Sequence, residues 1–416
     1  MKLDLRGRLI ELVRVPAAID ATTPDSTRAV DWRPFIEAAG LDASALTPDV
    51  ATWTPPVFAD QRAAWRGRFT DHPDLPLRVE GAAWRGRAVY FRVVAPWDSP
   101  PAGDVGGAMA GESVAVVGGM ALVLVVVGGA IWLIRINLSE GRGDRTAAAR
   151  LARVAAVVGA ATPFLSARTS FNLRSLSELL YSALASAATS AGIVWMLYLA
   201  LEPVVRRRRP ELLVGWTRLL TGRWRDPMVG RDLLIGTTLG LAAAAGQTFA
   251  GWLKEWTGHP VPPNRFADLR SLAGLSPLLA MLCDRVVTAL AIQLGILLLL
   301  ALATRWFRRE KVAALALWFI IVVLFYSAFA RSWPVLTSTA LMVALMVISV
   351  SRFGLLTGIV FQLCYSAAAA TVWTPNLGDW YARGTIVTGS FCLLLLGLGF
   401  RLARGAGGDR RPRVEA

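Results

Sequence analysis

Histidine, cysteine and lysine are scarce in this chain, and each scarcity removes a class of chemistry. The two histidines, His72 and His259, lie far apart in the 416 residues. A zinc intramembrane protease needs ligands the chain does not supply, and a serine or cysteine nucleophile finds no histidine base nearby. The three cysteines, Cys283, Cys364 and Cys392, fall in or beside apolar runs at wide spacing. That spacing gives neither a disulfide framework nor a thiolate metal site, so they read as packing residues. Lysine occurs only as Lys2, Lys254 and Lys311, and the sequence holds no Gly-rich nucleotide loop, V-A-I-K-type lysine, H-R-D loop or D-F-G. Phosphoryl transfer by protein-kinase machinery is therefore excluded for these residues. Residues 1–16, MKLDLRGRLIELVRVP, have charges where a cleavable signal peptide needs an apolar core.

What is present is apolar and basic. Hydrophobic residues make up 55%, mean hydropathy is +0.49 and the formal net charge is +15. Together these values fit an integral membrane protein better than a soluble basic domain. The arginines sit at the ends of apolar runs, where cytoplasmic loops place them, so nucleic acid is not an expected partner. The fold class expected is mainly α: a polytopic helical bundle preceded by a small α+β soluble domain.

The boundary falls in a Pro/Gly linker, residues 97–112. Residues 1–96 form the soluble domain, 113–403 the membrane domain and 404–416 a basic tail. Within the first region, 77–84 and 87–94 flank Arg85-Gly86 as a β-hairpin, and 3–15 supplies another strand or hairpin. Segments 31–39 and 60–65 read as short helices, and the core looks thin for a free-standing domain.

Nine apolar spans follow, at 114–136, 154–167, 176–201, 233–253, 286–303, 312–329, 335–350, 353–372 and 385–402. The second is short and carries Pro163. Arginine decides its status. With nine crossings, basic clusters fall on alternate connections: 135–153 after the first span, 206–231 after the third, 305–311 after the fifth and 401–413 after the ninth. The intervening connections hold few, and Arg352 is neutral in this count. By the positive-inside rule the N-terminal region lies outside and the C-terminus inside, in the cytoplasmic membrane. Trp132, Trp252, Trp256, Trp306, Trp333, Trp373 and Trp380 lie near span ends, as interfacial anchors do. Exporting about a hundred residues with no earlier span is a topological difficulty, and the simplest expectation is a longer natural chain with a preceding helix.

The motifs LDLRGRLIELVRVP, DWRPFIEAAGLDASALTP, WTPPVFADQRAAWRG, LPLRVEGAAWRGRAVYFRV and WYARGTIVTG, with the Arg-rich loop, resemble the C-terminal half of a family of large bacterial, acidobacterial-like membrane serine/threonine protein kinases. The resemblance runs over nearly the whole chain. It implies a cytoplasmic kinase domain, one transmembrane helix, an extracytoplasmic domain and a multi-span domain in that order. Since no kinase motif is present, no catalytic residue is carried over. This chain would then be the non-catalytic sensor and anchoring region, with an upstream kinase domain as its partner.

The candidate functional residues are those of the arginine loop: Arg206, Arg207, Arg208, Arg209, Trp216, Arg218, Arg223, Trp224, Arg225 and Arg231. Leu212, Leu213, Trp216, Leu219, Leu220 and Trp224 recur among them at helical spacing, which predicts an amphipathic helix on the inner membrane surface. Such a loop orients the protein and meets anionic lipid at about 1 kcal/mol per basic residue, and it could also face a cytoplasmic kinase domain. Glu178 is a candidate intramembrane carboxylate, although a helix N-terminal carboxylate facing water is the favoured reading. Asp284 and Arg285 read as solvated anchors preceding the fifth span, and Gln247, Gln293 and Gln362 as interhelical hydrogen-bonding residues. Gly236 and Gly240 form a GxxxG pair. GRGDR at 141–145 reads as a surface loop. No cofactor or metal is expected. A transporter or channel component is the alternative, and an enzyme acting on lipid or cell-wall precursors ranks below it.

Overall fold

The computed structural model describes residues 1–4, 6–15, 30–69, 72, 74–96, 98, 105–141, 144–167, 172–257, 268–329 and 333–404. The chain divides into two compact units, Met1–Ala110 and Gly111–Ala416. His259 and the basic tail beyond Arg404 lie outside the described residues.

The first unit is built on a six-stranded antiparallel sheet in the order β1-β2-β6-β5-β4-β3, comprising β1 Lys2–Leu3, β2 Leu9–Val13, β3 Thr47–Asp49, β4 Gln61–Arg68, β5 Pro76–Trp84 and β6 Arg87–Val94. Arg85 and Gly86 both have positive φ, 51° and 73°, the conformation a two-residue type I′ hairpin turn requires. One face of the sheet carries Leu77, Val79 and Phe91, buried beneath the short helix α1, Arg33–Ala38, with Ile36 against them. Trp32 lies so close over Gly81 that a Cβ there would stand 2.9 Å from its ring. Glu80 is buried. It accepts from Arg78 Nε at 2.6 Å and from the Thr52 amide at 3.2 Å, so the segment after β3 is tied to the sheet.

The helix expected over 60–65 is absent; the segment is β4, paired along its full length with β5. Gln, Ala and Arg favour a helix locally. Here Ala64 is needed in the core and the edge of β5 needs backbone partners, and these tertiary demands outweigh a weak local preference.

Beyond the sheet the chain is a helical bundle: α2 Val105–Ser139, α3 Arg145–Ser166, α4 Leu173–Arg208, α5 Val214–Leu220, α6 Pro227–Trp256, α7 Leu275–Phe307, α8 Glu310–Phe329, α9 Trp333–Ile348, α10 Leu355–Ala370 and α11 Arg383–Arg404. Seven helices among the described residues are long and apolar enough to cross a membrane: Val116–Ser139, α3, α4, α6, α7, Trp333–Phe353 and α11. At 16 residues α10 is shorter, about 24 Å, and nearly all of it is buried among its neighbours. The apolar α8 has 20 residues. The chain is a mainly helical protein of multi-pass membrane type.

Several span ends differ from those expected. The third helix runs on through Pro203 to Arg208, so Arg206, Arg207 and Arg208 occupy its last turn rather than a loop. Positive charge there complements the helix dipole, and Pro210 then stops the helix. Asp284 and Arg285 lie inside α7, which begins at Leu275, and not before it. A π-helical turn, Ser349–Phe353, ends the α9 segment at Gly354, whose φ of +113° suits only glycine.

Small residues set the closest crossings. A Cβ on Gly236 would stand 2.7 Å from the Thr357 carbonyl oxygen, and one on Gly240 2.6 Å from that of Phe361. The GxxxG pair is therefore a contact surface, and the matched steps along both helices make α6 and α10 parallel. Antiparallel to α6, α11 brings Leu402 and Ala403 against Gly230.

Candidate functional site

The basic connections gather at one end of the bundle. Asn137 Nδ2 donates to the Ala200 carbonyl at 3.1 Å, and the Asp144 amide donates to Glu202 Oε2 at 3.3 Å. These bonds tie the α2–α3 connection to the end of α4. Arg209 bridges onward, its Nε to Glu211 and its Nη1 to Glu310, each at 3.0 Å, joining α4 to the start of α8. Gly354 abuts the Leu212 carbonyl, and Arg305 lies over Trp132 at 5.3 Å from the ring centre. Far from this group, Ser276 donates to the Leu165 carbonyl and the Asp268 amide to that of Ala370, which marks the opposite end.

Arg206 Nε pairs with the buried Glu202 at 2.8 Å, and Arg207 approaches Glu140 at 3.7 Å. Arg208 has no acidic partner among the described residues. Trp216, with Leu212 and Leu213, is buried in the core of the bundle. The expected surface helix is thus a short 3-10 turn, Pro210–Leu213, and α5, plugged into the bundle end, with Leu219 and Trp224 left exposed. Helical spacing located an apolar face correctly, but other helices bury it rather than lipid.

The remaining loop arginines are held by local contacts. Arg218 donates to Asp226 at 2.5 Å, and Asp226 also caps α6 by accepting from the Met228 amide at 2.9 Å. Burial works against ionisation of Asp226, yet the Met228 amide and the Arg218 guanidinium hold its carboxyl below the usual range. Arg225 stacks over Trp224 at 4.7 Å, and Arg223 is exposed. Arg231 pairs at 3.2 Å with Asp232, which is buried beneath Gly215.

Glu178 is not in the bundle interior. It is 65% exposed on the second turn of α4 and pairs with Arg174 at 3.0 Å. Among the described residues of the bundle the buried carboxylates are instead Glu202 and Asp232, which the sequence did not single out. Glu202 stands four residues before Arg206, a helical ion-pair spacing that was the available signal, whereas Asp232 beside Arg231 offers none, since adjacent helical residues do not share a face.

Gln293 is wholly buried with neither amide atom hydrogen-bonded, and Gln362 Oε1 is likewise unpartnered. Among the described residues neither atom of Gln293 nor Oε1 of Gln362 makes the expected interhelical hydrogen bond. Cys364 donates weakly to Thr237 Oγ1 at 3.7 Å in the core, and all three cysteines are free. Among the described residues no group of three or more His, Cys, Asp or Glu is placed to hold a metal.

Between α4, α7 and the start of α8 lies a cavity of about 320 Å³. Arg208, Arg209, Arg308 and Lys311 line it, with Glu310 as its one carboxylate, over walls that include Leu212, Leu297 and Leu300. In the first unit a second cleft is lined by Arg6, Arg8, Asp4, Asp98 and His72 beside Leu9 and Phe69.

Comparison with family models, with curated proteins and with solved structures finds no match to this chain.

Proposed function

We propose that this chain is the membrane-embedded, non-catalytic sensor and anchoring region of a receptor-like bacterial serine/threonine kinase system, crossing the cytoplasmic membrane nine times with its N-terminal unit outside. The two additional crossings beyond the seven long helices are α8 and α10. The observation that carries the reading is the gathering of the basic connections after α2, α4 and α7 at one end of the bundle, together with the α11 terminus. A single face dense in arginine fits the cytoplasmic leaflet, with its anionic lipid and positive-inside bias. It is also the face a cytoplasmic kinase domain would meet. The sequence motifs supply the kinase association, and the cleft of the first unit supplies a surface where an external ligand could bind.

Signalling through such a bundle requires two packings between which a ligand discriminates. The test is a version carrying the kinase domain, assayed for phosphorylation with and without residues 1–96. Phosphorylation that changes on deletion supports the reading; phosphorylation identical under every stimulus tried removes it. The multi-span bundle, with the polar amide of Gln293 buried inside α7, favours a second reading, a transporter or channel component. Solute flux through the reconstituted chain, abolished by Gln293→Leu, would replace the first reading with this one.

A further inference from the structure

We infer that the cavity between α4, α7 and α8 is a binding site for the phosphate headgroup of an anionic lipid. It rests on this end of the bundle meeting the inner leaflet and not on the kinase association. Four cations line the cavity against one carboxylate, Glu310, and that carboxylate is already engaged by Arg209. Arg208, Arg308 and Lys311 have no acidic partner among the described residues, so three like charges border one space with no carboxylate paired to them. An anion relieves that repulsion. The first turn of α8 adds to the attraction, since the amides of Glu310 and Lys311 precede the first helical bond, made by Ala313 to the Arg309 carbonyl.

Arg308 carries an independent mark. Its φ of +56° is left-handed at the end of α7, a position where glycine is the ordinary choice. Strain of this kind persists where the surroundings over-determine it, and it concentrates at ligand sites. Here it sets an arginine in the lining of the cavity.

The apolar walls identify the occupant. Leu212, Leu297 and Leu300 give a free phosphate ion nothing, but they suit the first methylenes of an acyl chain or glycerol backbone. A volume of about 320 Å³ is near the lower limit of ligand pockets, enough for a headgroup but not for whole chains. Beside the lining residues Lys311 and Ala314, Val312 and Leu315 are exposed, at 41% and 64%, so lipid-facing surface adjoins the site.

The test uses the full chain purified in neutral detergent and native mass spectrometry, titrating phosphatidic acid, diacylglycerol of the same acyl composition, and inorganic phosphate. The expected result is retention of phosphatidic acid, little retention of diacylglycerol, and no displacement by millimolar phosphate. Arg208→Gln/Arg308→Asn/Lys311→Gln alters three exposed residues, asparagine tolerating the left-handed conformation, and should weaken retention by at least about tenfold. Ala314→Leu keeps every charge but fills the cavity, and should weaken it comparably. Arg223→Gln/Arg225→Gln removes two charges from the same end outside the cavity and should leave it intact. Wild-type retention by the charge variant or by Ala314→Leu would overturn the inference. Equal loss in the Arg223/Arg225 variant would do the same, by showing general surface attraction, and displacement by inorganic phosphate would reassign the site to the free ion.

Discussion

Arg209 Nη1 donates to Glu310 Oε2 at 3.0 Å across 101 residues of sequence, and through this pair the end of α4 grips the start of α8. Arg209 also holds Glu211, so one guanidinium fixes the first turn after α4 against a distant helix. Both partners are partly exposed, at 32% and 60%. A double-mutant cycle with Arg209→Gln and Glu310→Gln should give a coupling of about 0.2–1 kcal/mol in chemical unfolding, shrinking as salt rises. A coupling of zero at low salt would show that the pair does not join the helices.

Close packing at the α6–α10 crossing gives a sharper expectation. Gly240→Val must displace the Phe361 carbonyl from 2.6 Å and should destabilise the protein by about 1–3 kcal/mol. Gly119→Ala meets nothing within 4 Å and should stay within about 0.5 kcal/mol of the parent. Thermal unfolding of both variants in one detergent checks the contrast, and equal effects would contradict the crossing.

Glu202 separates charge from hydrogen bonding. It is buried while its partner Arg206 remains 59% exposed, so the ion pair is screened on one side. Glu202→Gln retains an acceptor for the Asp144 amide and should cost less than Glu202→Ala, which removes that acceptor at about 0.5–1.5 kcal/mol. Unfolding midpoints that rank the two variants the other way would show that charge, not the amide contact, matters there.

Asp226 makes the loop acid-sensitive. Its folded carboxyl titrates below the usual 3.8, so the stabilisation is fully present above about pH 3.8 and is lost as pH falls further, through the lowered folded value. Amide exchange over 223–228, corrected for its intrinsic pH dependence, should rise in that range only. Asp226→Asn keeps a cap for α6 and should abolish the pH dependence. Dependence surviving in the variant would place its origin elsewhere.

Much of this arrangement could be read from the residues alone, for identifiable reasons. The Arg85-Gly86 hairpin was legible because two positive φ angles admit few sequences, and the helices were legible because long apolar runs have few alternatives. The Gly236/Gly240 spacing located a real crossing but not its partner, since small residues show only that something comes near. Residues 60–65 misled because alanine and arginine favour a helix locally, while pairing with β5 is a long-range demand. Trp216 misled in another way. Helical spacing reports an apolar face, and only the fold shows whether lipid or protein covers it. The cavity was illegible because Arg208, Arg308 and Lys311 meet only when α4, α7 and α8 are packed together.

Sidedness is the claim on which the rest depends. Single cysteines placed at Arg223 and at Arg225, both exposed, in a background with Cys283, Cys364 and Cys392 replaced, can be labelled in intact cells by a membrane-impermeant maleimide. No labelling is expected until the cells are opened, with a cysteine at Thr52 labelled from outside as the positive control. Labelling of the Arg223 and Arg225 positions in intact cells would put the arginine-rich end on the external face and contradict that claim.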